Sequence, residues 1–230
     1  MLPRRRFVHS LSYLGFAGIL LGRKSFADDL ILTPTQNRGP FYPIPTIEEQ
    51  EHFDVDLTKK GSDSPVALGK VIAIRGNVVD ISGELLNGVT VEVWQACESG
   101  RYDHPNDKGT STLDPNFQYW GRMQTGVDGS FAFKTIQPGK YPGRTPHIHF
   151  RVVAPKRDAL ETQLYFAQNE ALNAKDGIYT GVPSKQQQAI TTALENLAAN
   201  PKAQNSAKLP TGTFQIVLGP KKDIRSTPGM

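Results

Sequence analysis

From Lys70 onward the chain is a succession of short runs rich in Val, Ile, Phe and Thr: "KVIAIRGNVVD", "VTVEVWQA", "SFAFKTI", "HIHFRVVA", "TQLYF" and "TFQIVLG". Clusters of Gly, Asn, Asp and Pro separate them. β-Branched and aromatic residues suit a pleated, half-buried surface, and repeated short strands punctuated by turn residues build a sandwich or barrel. The expected fold is all-β, a single-domain β-sandwich over residues 70–220 with mixed loops and one or two short helices. Only "SKQQQAITTALENLAANP" has helical composition and spacing, with Ser184 as N-cap and Asn200-Pro201 as the stop. Upstream, "LTPTQNRGPFYPIP" is rich in Pro and Gly and reads as an extended arm within residues 28–69. Residues 221–230 read as a loose tail.

The first 27 residues differ in kind. A cationic start with Arg4, Arg5 and Arg6 leads into an apolar stretch from Leu11 to Leu21, then Ser25-Phe26-Ala27, a small-x-small site before Asp28. The stretch is short for a bilayer span and has the design of an export signal. The Arg4-Arg5-x-Phe7-Val8 pattern resembles a twin-arginine signal, which carries folded and often cofactor-loaded proteins; an ordinary secretory signal or an uncleaved anchor is the plainer reading. Export to the periplasm is the expectation, without a stable membrane anchor. This segment also explains the basic pI. It holds five of the 26 Lys and Arg residues and none of the 22 acids, so the remainder carries 21 basic against 22 acidic side chains, about −1. Such a balance gives no reason to expect nucleic acid as a partner. With Cys97 as the single cysteine, an internal disulfide is impossible. Cys97 reads as a small buried apolar residue rather than a nucleophile.

Candidate chemistry begins at "HIHFRV". In a strand alternate side chains share a face, so His147 and His149 point the same way while Ile148 and Phe150 point the other. H-x-H alone is equally a chelating pair and a pair of surface or core histidines. Two tyrosines, Tyr102 in "GRY" and Tyr141 in "PGKYP", each follow a Gly-containing turn after an expected strand, at a sandwich edge where loops gather into sites. Holding a phenolate at neutral pH costs roughly 4 kcal/mol, given a phenol pKa of about 10 and 1.36 kcal/mol per unit. A set of two tyrosines and two histidines therefore asks for a hard, highly charged cation such as Fe(III), where zinc recruits Cys, His or carboxylate.

The strings "VEVWQA", "GRYDHPND", "LDPNF", "TIQPGKYP", "RTPHIHF", "TQLYF" and "FQIVLG", in this order between about Gly76 and Gly219, resemble the intradiol ring-cleavage dioxygenases, in particular the iron-bearing (beta) chain of the protocatechuate 3,4-dioxygenases. "GPFYP" near residue 40 is similar to that family's N-terminal arm. The resemblance implies a non-haem Fe(III) enzyme that inserts both atoms of O2 into a catechol-type aromatic and opens the ring between the two hydroxylated carbons to a cis,cis-muconate. It implies Tyr102, Tyr141, His147 and His149 as iron ligands, with Tyr102 equatorial and Tyr141 the axial ligand that substrate displaces. It implies Arg144 facing the bound catechol and Gln163 near the substrate pocket, so that Tyr141, Arg144 and Gln163 form the catalytic group. A homo- or hetero-oligomer fits the family.

Two departures bear on this. Only six positions separate Tyr141 from His147, and Gly143 stands where the protocatechuate enzymes carry a pocket-lining aromatic, which puts a protocatechuate preference in doubt. The long helical N-terminal region of the catechol 1,2-dioxygenases, their dimer interface, has no counterpart here. Two rivals stand beside the enzyme reading: an exported β-sandwich binding module without catalysis, and an iron-free subunit of the same family. Either would lack a reason to keep all four ligand positions. Around the site, His104 reads as a solvated loop histidine and Trp94 as core, while Tyr165 shares the facing of Gln163 and fits pocket or core equally.

Overall fold

The computed structural model describes residues 30–44, 54–61, 63–196 and 209–220. The export signal and the tail expected at the two ends lie outside the described residues. Nine strands are present among those described: β1 (Val71–Asp80), β2 (Thr90–Trp94), β3 (Trp120–Gln124), β4 (Ser130–Ile136), β5 (His147–Val153), β6 (Leu160–Phe166), β7 (Thr191–Thr192), β8 (Glu195–Asn196) and β9 (Pro210–Leu218). They form two mixed sheets, one in the order β4-β1-β9-β8 and one in the order β3-β2-β5-β6-β7. This is the expected β-sandwich. β1 and β9 run parallel, as do β6 and β7; the other pairs are antiparallel.

The alternation of β5 decides the architecture. Ile148, Phe150 and Val152 are fully buried toward the other sheet, where the Phe150 ring meets Phe214 of β9 edge-on at 5.0 Å and Phe131 of β4 at 6.0 Å. His147, His149 and Arg151 take the opposite face. Register aligns them with their neighbours in rows: Glu92, Arg151 and Glu161; Trp94, His149 and Gln163; His147 and Tyr165. An outer sheet face would ordinarily be wet, yet His147 and His149 are each 2% exposed. The arm covers part of this face, where a Cβ on Gly39 would lie 3.4 Å from the His149 ring; its backbone also bonds strands of both sheets, the Thr33 amide donating to Val217 O at 3.1 Å and the Gln36 amide to Glu161 O at 2.7 Å.

The helical expectation for residues 184–201 is corrected. After β6 come three one-turn helices, α1 (Glu170–Asn173), α2 (Gly177–Thr180) and α3 (Ser184–Gln187). Ser184 opens α3 but does not cap it; Pro183 holds that position and no side chain bonds the end. Gln188–Ile190 tightens to a 3₁₀ turn, and Thr191-Thr192 then pairs in parallel with Tyr165 and Phe166. The β-branched pair, with Ile190 wholly buried beside it, gains more from β6 than from extending a helix. Asn200-Pro201 lies outside the described residues. Among the described residues no helix is long and apolar enough to cross a membrane.

Candidate metal centre

Two loops bring the tyrosines together. The loop after β2 turns tightly, with the Cys97 amide donating to Arg101 O at 2.8 Å. The Cys97 carbonyl accepts from Gly100 and also from Gly139 in the loop after β4, both at 3.0 Å, so one carbonyl joins the two loops. Gly100 sits at φ +82°, and a Cβ there would lie 2.2 Å from Lys140 O. Only glycine allows this approach. Cys97 itself is buried, as expected of a packing residue. Beyond the turn, Asp107 accepts the Tyr102 amide at 2.7 Å and Arg101 Nε at 3.1 Å, fixing where Tyr102 leaves the loop. Tyr141 starts a second turn, closed by the Arg144 amide donating to Tyr141 O at 3.2 Å, with Gly143 at φ +79°. Pro142 and Gly143 are the residues such a turn prefers at its centre.

The structure brings Tyr102, Tyr141, His147 and His149 into one cluster. The two tyrosine rings lie 5.6 Å apart, Tyr141 is 5.7 Å from His147, and Tyr102 is 6.3 Å from His149. The imidazoles present Nε2 to Nε2 at 3.1 Å. His147 Nδ1 lies 2.7 Å from Thr145 O and donates to it, which leaves Nε2 as a lone pair. His149 lies flat against Trp94, centroids 4.7 Å apart at an interplanar angle of 7°. Burial, with Arg144 adding to it, holds His147 down at about 3; burial and the neighbouring His147 hold His149 well below the usual histidine range. Both rings are therefore neutral donors. Burial, and next the adjacent Tyr141 phenol, pushes Tyr102 well above the usual phenol range; the Tyr141 hydroxyl and the Ala96 backbone act on its hydroxyl, but among the described residues none stands in full hydrogen-bond geometry to it. Burial raises Tyr141 too, against the opposing Arg144.

A buried phenol without a partner and two neutral imidazoles with facing Nε2 atoms are what a bound cation would complete. An unpaired buried hydroxyl otherwise carries a desolvation cost of about 1–3 kcal/mol. The donor set suits a hard, high-valent ion. Arg144 and Gln163 stand beside this cluster. Arg144 Nη1 donates to Tyr141 Oη at 3.3 Å, and Nη2 donates to Gln163 Oε1 and, at 3.3 Å, to Tyr165 Oη. His104 is half-buried, its Nδ1 accepting the Asn106 amide at 3.1 Å, and its ring meets Phe41 edge-on.

Sequence reasoning left several contributors out. Phe41 stacks on Tyr102 at 4.7 Å and meets Tyr141 edge-on, so the arm forms a wall of the site. Tyr42 meets Trp94 edge-on at 5.0 Å and donates to Glu92 at 2.8 Å. Trp94 is buried as expected, yet its role is against His149. Tyr165 serves both core and site: it is wholly buried in the main core, while its hydroxyl reaches the site, donating to Gln163 Oε1 at 2.8 Å and accepting from Gln36 Nε2 at 3.0 Å. Asp176 accepts Arg144 Nε at 2.9 Å from 32 positions away. The resemblance of "GPFYP" was the one signal that pointed to the arm; no local signal links Asp176 to Arg144.

The chain is similar to known proteins over most of the described span. The family model described as "Dioxygenase" matches residues 39–220. The protocatechuate 3,4-dioxygenase beta chain of Burkholderia cepacia is 38% identical over 154 residues, 64% of this chain and 65% of its own. A chlorocatechol 1,2-dioxygenase of Cupriavidus pinatubonensis is 30% identical over 149 residues, 56% of this chain and 52% of its own. The chain thus spans between half and two thirds of the length of these relatives. Among solved structures, the dioxygenase domain of a dioxygenase and carbohydrate-binding protein fusion from Streptomyces sp. SirexAA-E is 31% identical with a TM-score of 0.59, covering 82% of this chain and 99% of that one. With a matched span that runs from the arm through β9 and contains the whole aromatic and imidazole cluster, the chain belongs to the intradiol ring-cleavage dioxygenase family.

Proposed function

We propose that this protein is a non-haem Fe(III) intradiol dioxygenase that inserts both atoms of O2 into a catechol-type aromatic, opening the ring between the hydroxylated carbons to a cis,cis-muconate. The observation that carries the reading is the convergence of Tyr102, Tyr141, His147 Nε2 and His149 Nε2, with the Arg144 guanidinium on Tyr141 Oη. Those four side chains would hold the iron. Bound there, ferric iron would stabilise both phenolates and take the diol as a chelate. Every other part of the work falls to the chain. Tyr141, more exposed than Tyr102, offers Oη as acceptor for a proton of the entering diol. Arg144 sets a fixed positive charge beside the ring, where negative charge grows as the diol ionises and its carbons become nucleophilic. Gln163, held from the arm by Asn37 O and Gln36, keeps the guanidinium turned to that place. Phe41 and Trp94 keep water from the buried side.

The ring accepted is of the catechol type, protocatechuate among them, with open space at the Pro142-Gly143 turn, where a Cβ on Gly143 would meet nothing within 4 Å. Export through a twin-arginine-type signal, and an oligomer of one or two chain types, complete the proposal. The test is O2 uptake by the iron-loaded protein across protocatechuate, catechol, chlorocatechol and hydroxyquinol, with ¹⁸O2 and mass analysis of the product. Incorporation of both labelled atoms into an acyclic dicarboxylate is expected. Binding of the aromatics without O2 uptake would replace the enzyme reading with a binding module.

A further inference from the structure

Asp176 lies outside the cluster and outside every motif that pointed to it, yet its side chain is 0% exposed and its two carboxylate oxygens divide between two tasks. Oδ1 accepts the amides of Ile178 and Tyr179 at 2.9 and 3.2 Å and so caps α2. Oδ2 accepts Arg144 Nε and the Thr145 amide, both at 2.9 Å. Neighbouring bonds stiffen the same joint. Thr145 Oγ1 donates to Asn173 Oδ1 at 2.8 Å, and Asn173 Nδ2 donates to Phe166 O at 3.0 Å. With Nε taken from behind, the guanidinium has only its Nη edge left to face Tyr141, Gln163 and Tyr165. The planar fork of arginine makes this restraint directional, since fixing one edge fixes the other. Thr145, whose amide Oδ2 holds, is also the residue whose carbonyl, in the following peptide, accepts His147 Nδ1.

We propose that Asp176 is the positioning residue of this site: a buried carboxylate, presented by the α2 turn, that aims the Arg144 guanidinium at the substrate's developing negative charge and fixes the Thr145 peptide beside it. The proposal rests on the dioxygenase reading for its catalytic consequence. Its geometric content is independent of that reading. Misplacing a catalytic group by about 1 Å costs on the order of 100-fold in rate. A residue that merely stabilised the fold would lower the amount of active enzyme and leave the turnover of the folded fraction unchanged.

The experiment compares the iron-loaded full chain with Asp176→Asn, Arg144→Met, the double variant and Asp80→Asn, a control that weakens a remote ion pair to Arg157. Asn keeps one acceptor oxygen, enough for either the Arg144 and Thr145 side or the α2 cap, and loses the charge. Expected for D176N are stoichiometric iron, an unchanged visible spectrum, kcat per iron lower by about 100-fold and KM within about threefold. D80N should turn over within about twofold of the parent. If Asp176 acts through Arg144, the double variant falls no lower than R144M, because coupled residues are non-additive. The double variant leaves no unpaired buried guanidinium, so it carries the comparison even where D176N folds poorly. A second readout needs neither iron nor turnover. In iron-free protein the Arg144 Nε–H signal in ¹⁵N NMR should be protected from exchange, and D176N should speed that exchange at least about tenfold. Parent-like kcat in folded D176N, losses that multiply in the double variant, or unchanged Nε–H exchange would each overturn the proposal. A parent protein with no O2 uptake on any diol would defeat the functional reading alone, and the exchange measurement would still decide the positioning role.

Discussion

Tyr102 and Tyr141 carry the same phenol in different surroundings, and the difference organises their chemistry. Tyr102 is 3% exposed with an unpartnered hydroxyl, whereas Tyr141 is half-buried and bonded to Arg144. A side chain that is a liability in the apoprotein and an asset once a cation binds has a recognisable mutational signature. Tyr102→Phe should raise the stability of the iron-free protein by about 1 kcal/mol, because a buried unsatisfied hydroxyl is removed. For a domain of this size that is roughly 2–4 °C in Tm. The same variant should bind iron at least about tenfold more weakly, since even outer-shell changes at metal sites cost 10–100-fold. Calorimetry of the apoprotein and iron titration check the two halves. A less stable apoprotein with unaltered iron affinity would mean that Tyr102 is an ordinary packing residue.

At the scale of elements, the site is the outer face of β2, β5 and β6 joined to two loops that touch through Gly100 and Gly139. Gly100→Ala places a methyl 2.2 Å from a carbonyl oxygen in a backbone conformation with φ +82°. Substitution at such a position destabilises by more than about 1 kcal/mol. Because the displaced backbone carries Tyr141, we expect G100A to lower Tm and also to lose iron, whereas Gly143→Ala, strained in φ but free of neighbours, should retain it. Melting curves with iron analysis decide this; iron retained by G100A would show that the loop contact does not set the site. How much of this was legible from sequence varies by element. Six strands announced themselves because β-branched and aromatic residues dominate them, and the alternation in "HIHFRV" placed both histidines on one face. β3, "WGRMQ", did not, since its Gly, Arg and Gln are set by pairing with β2 and not by local preference. The "QQQAITTALEN" stretch read as helix because its composition is helical, while β6 claims Thr191 and Thr192 through a parallel pairing that composition cannot encode. The two tyrosines and two histidines were found by motif; Asp176 and Gln36 were not, because their bonds to Arg144 and Tyr165 cross 32 and 129 positions.

For the whole molecule, the two sheets, the arm and the loops are tied by carboxylates held in charged form. Burial pushes Asp80 upward, but the Ser82 hydroxyl, the Glu84 and Ser82 amides and Arg157 outweigh it, so its carboxyl titrates below the usual range. Asp56 is likewise pushed up by burial and brought below the usual range by Lys134 and Thr58. With folded values lower than unfolded ones, these groups add stability that is complete above the unfolded carboxylate pKa of about 3.9 and is lost as pH falls through the folded values. Tm should accordingly drop below about pH 4, and Asp80→Asn should flatten that drop while lowering Tm at pH 7. A parent Tm unchanged between pH 5 and pH 3 would contradict the sign. Whether this sandwich holds ferric iron between two phenolates and two imidazoles is decided by the visible absorption spectrum of the purified protein. It is recorded before and after anaerobic addition of catechol, with iron counted on the same sample. About one iron per chain is expected, with a red-brown phenolate-to-iron band that shifts when the diol binds and is absent in Tyr102→Phe/Tyr141→Phe. A protein that stays colourless after reconstitution with iron, or a band indifferent to both tyrosines, would contradict that expectation.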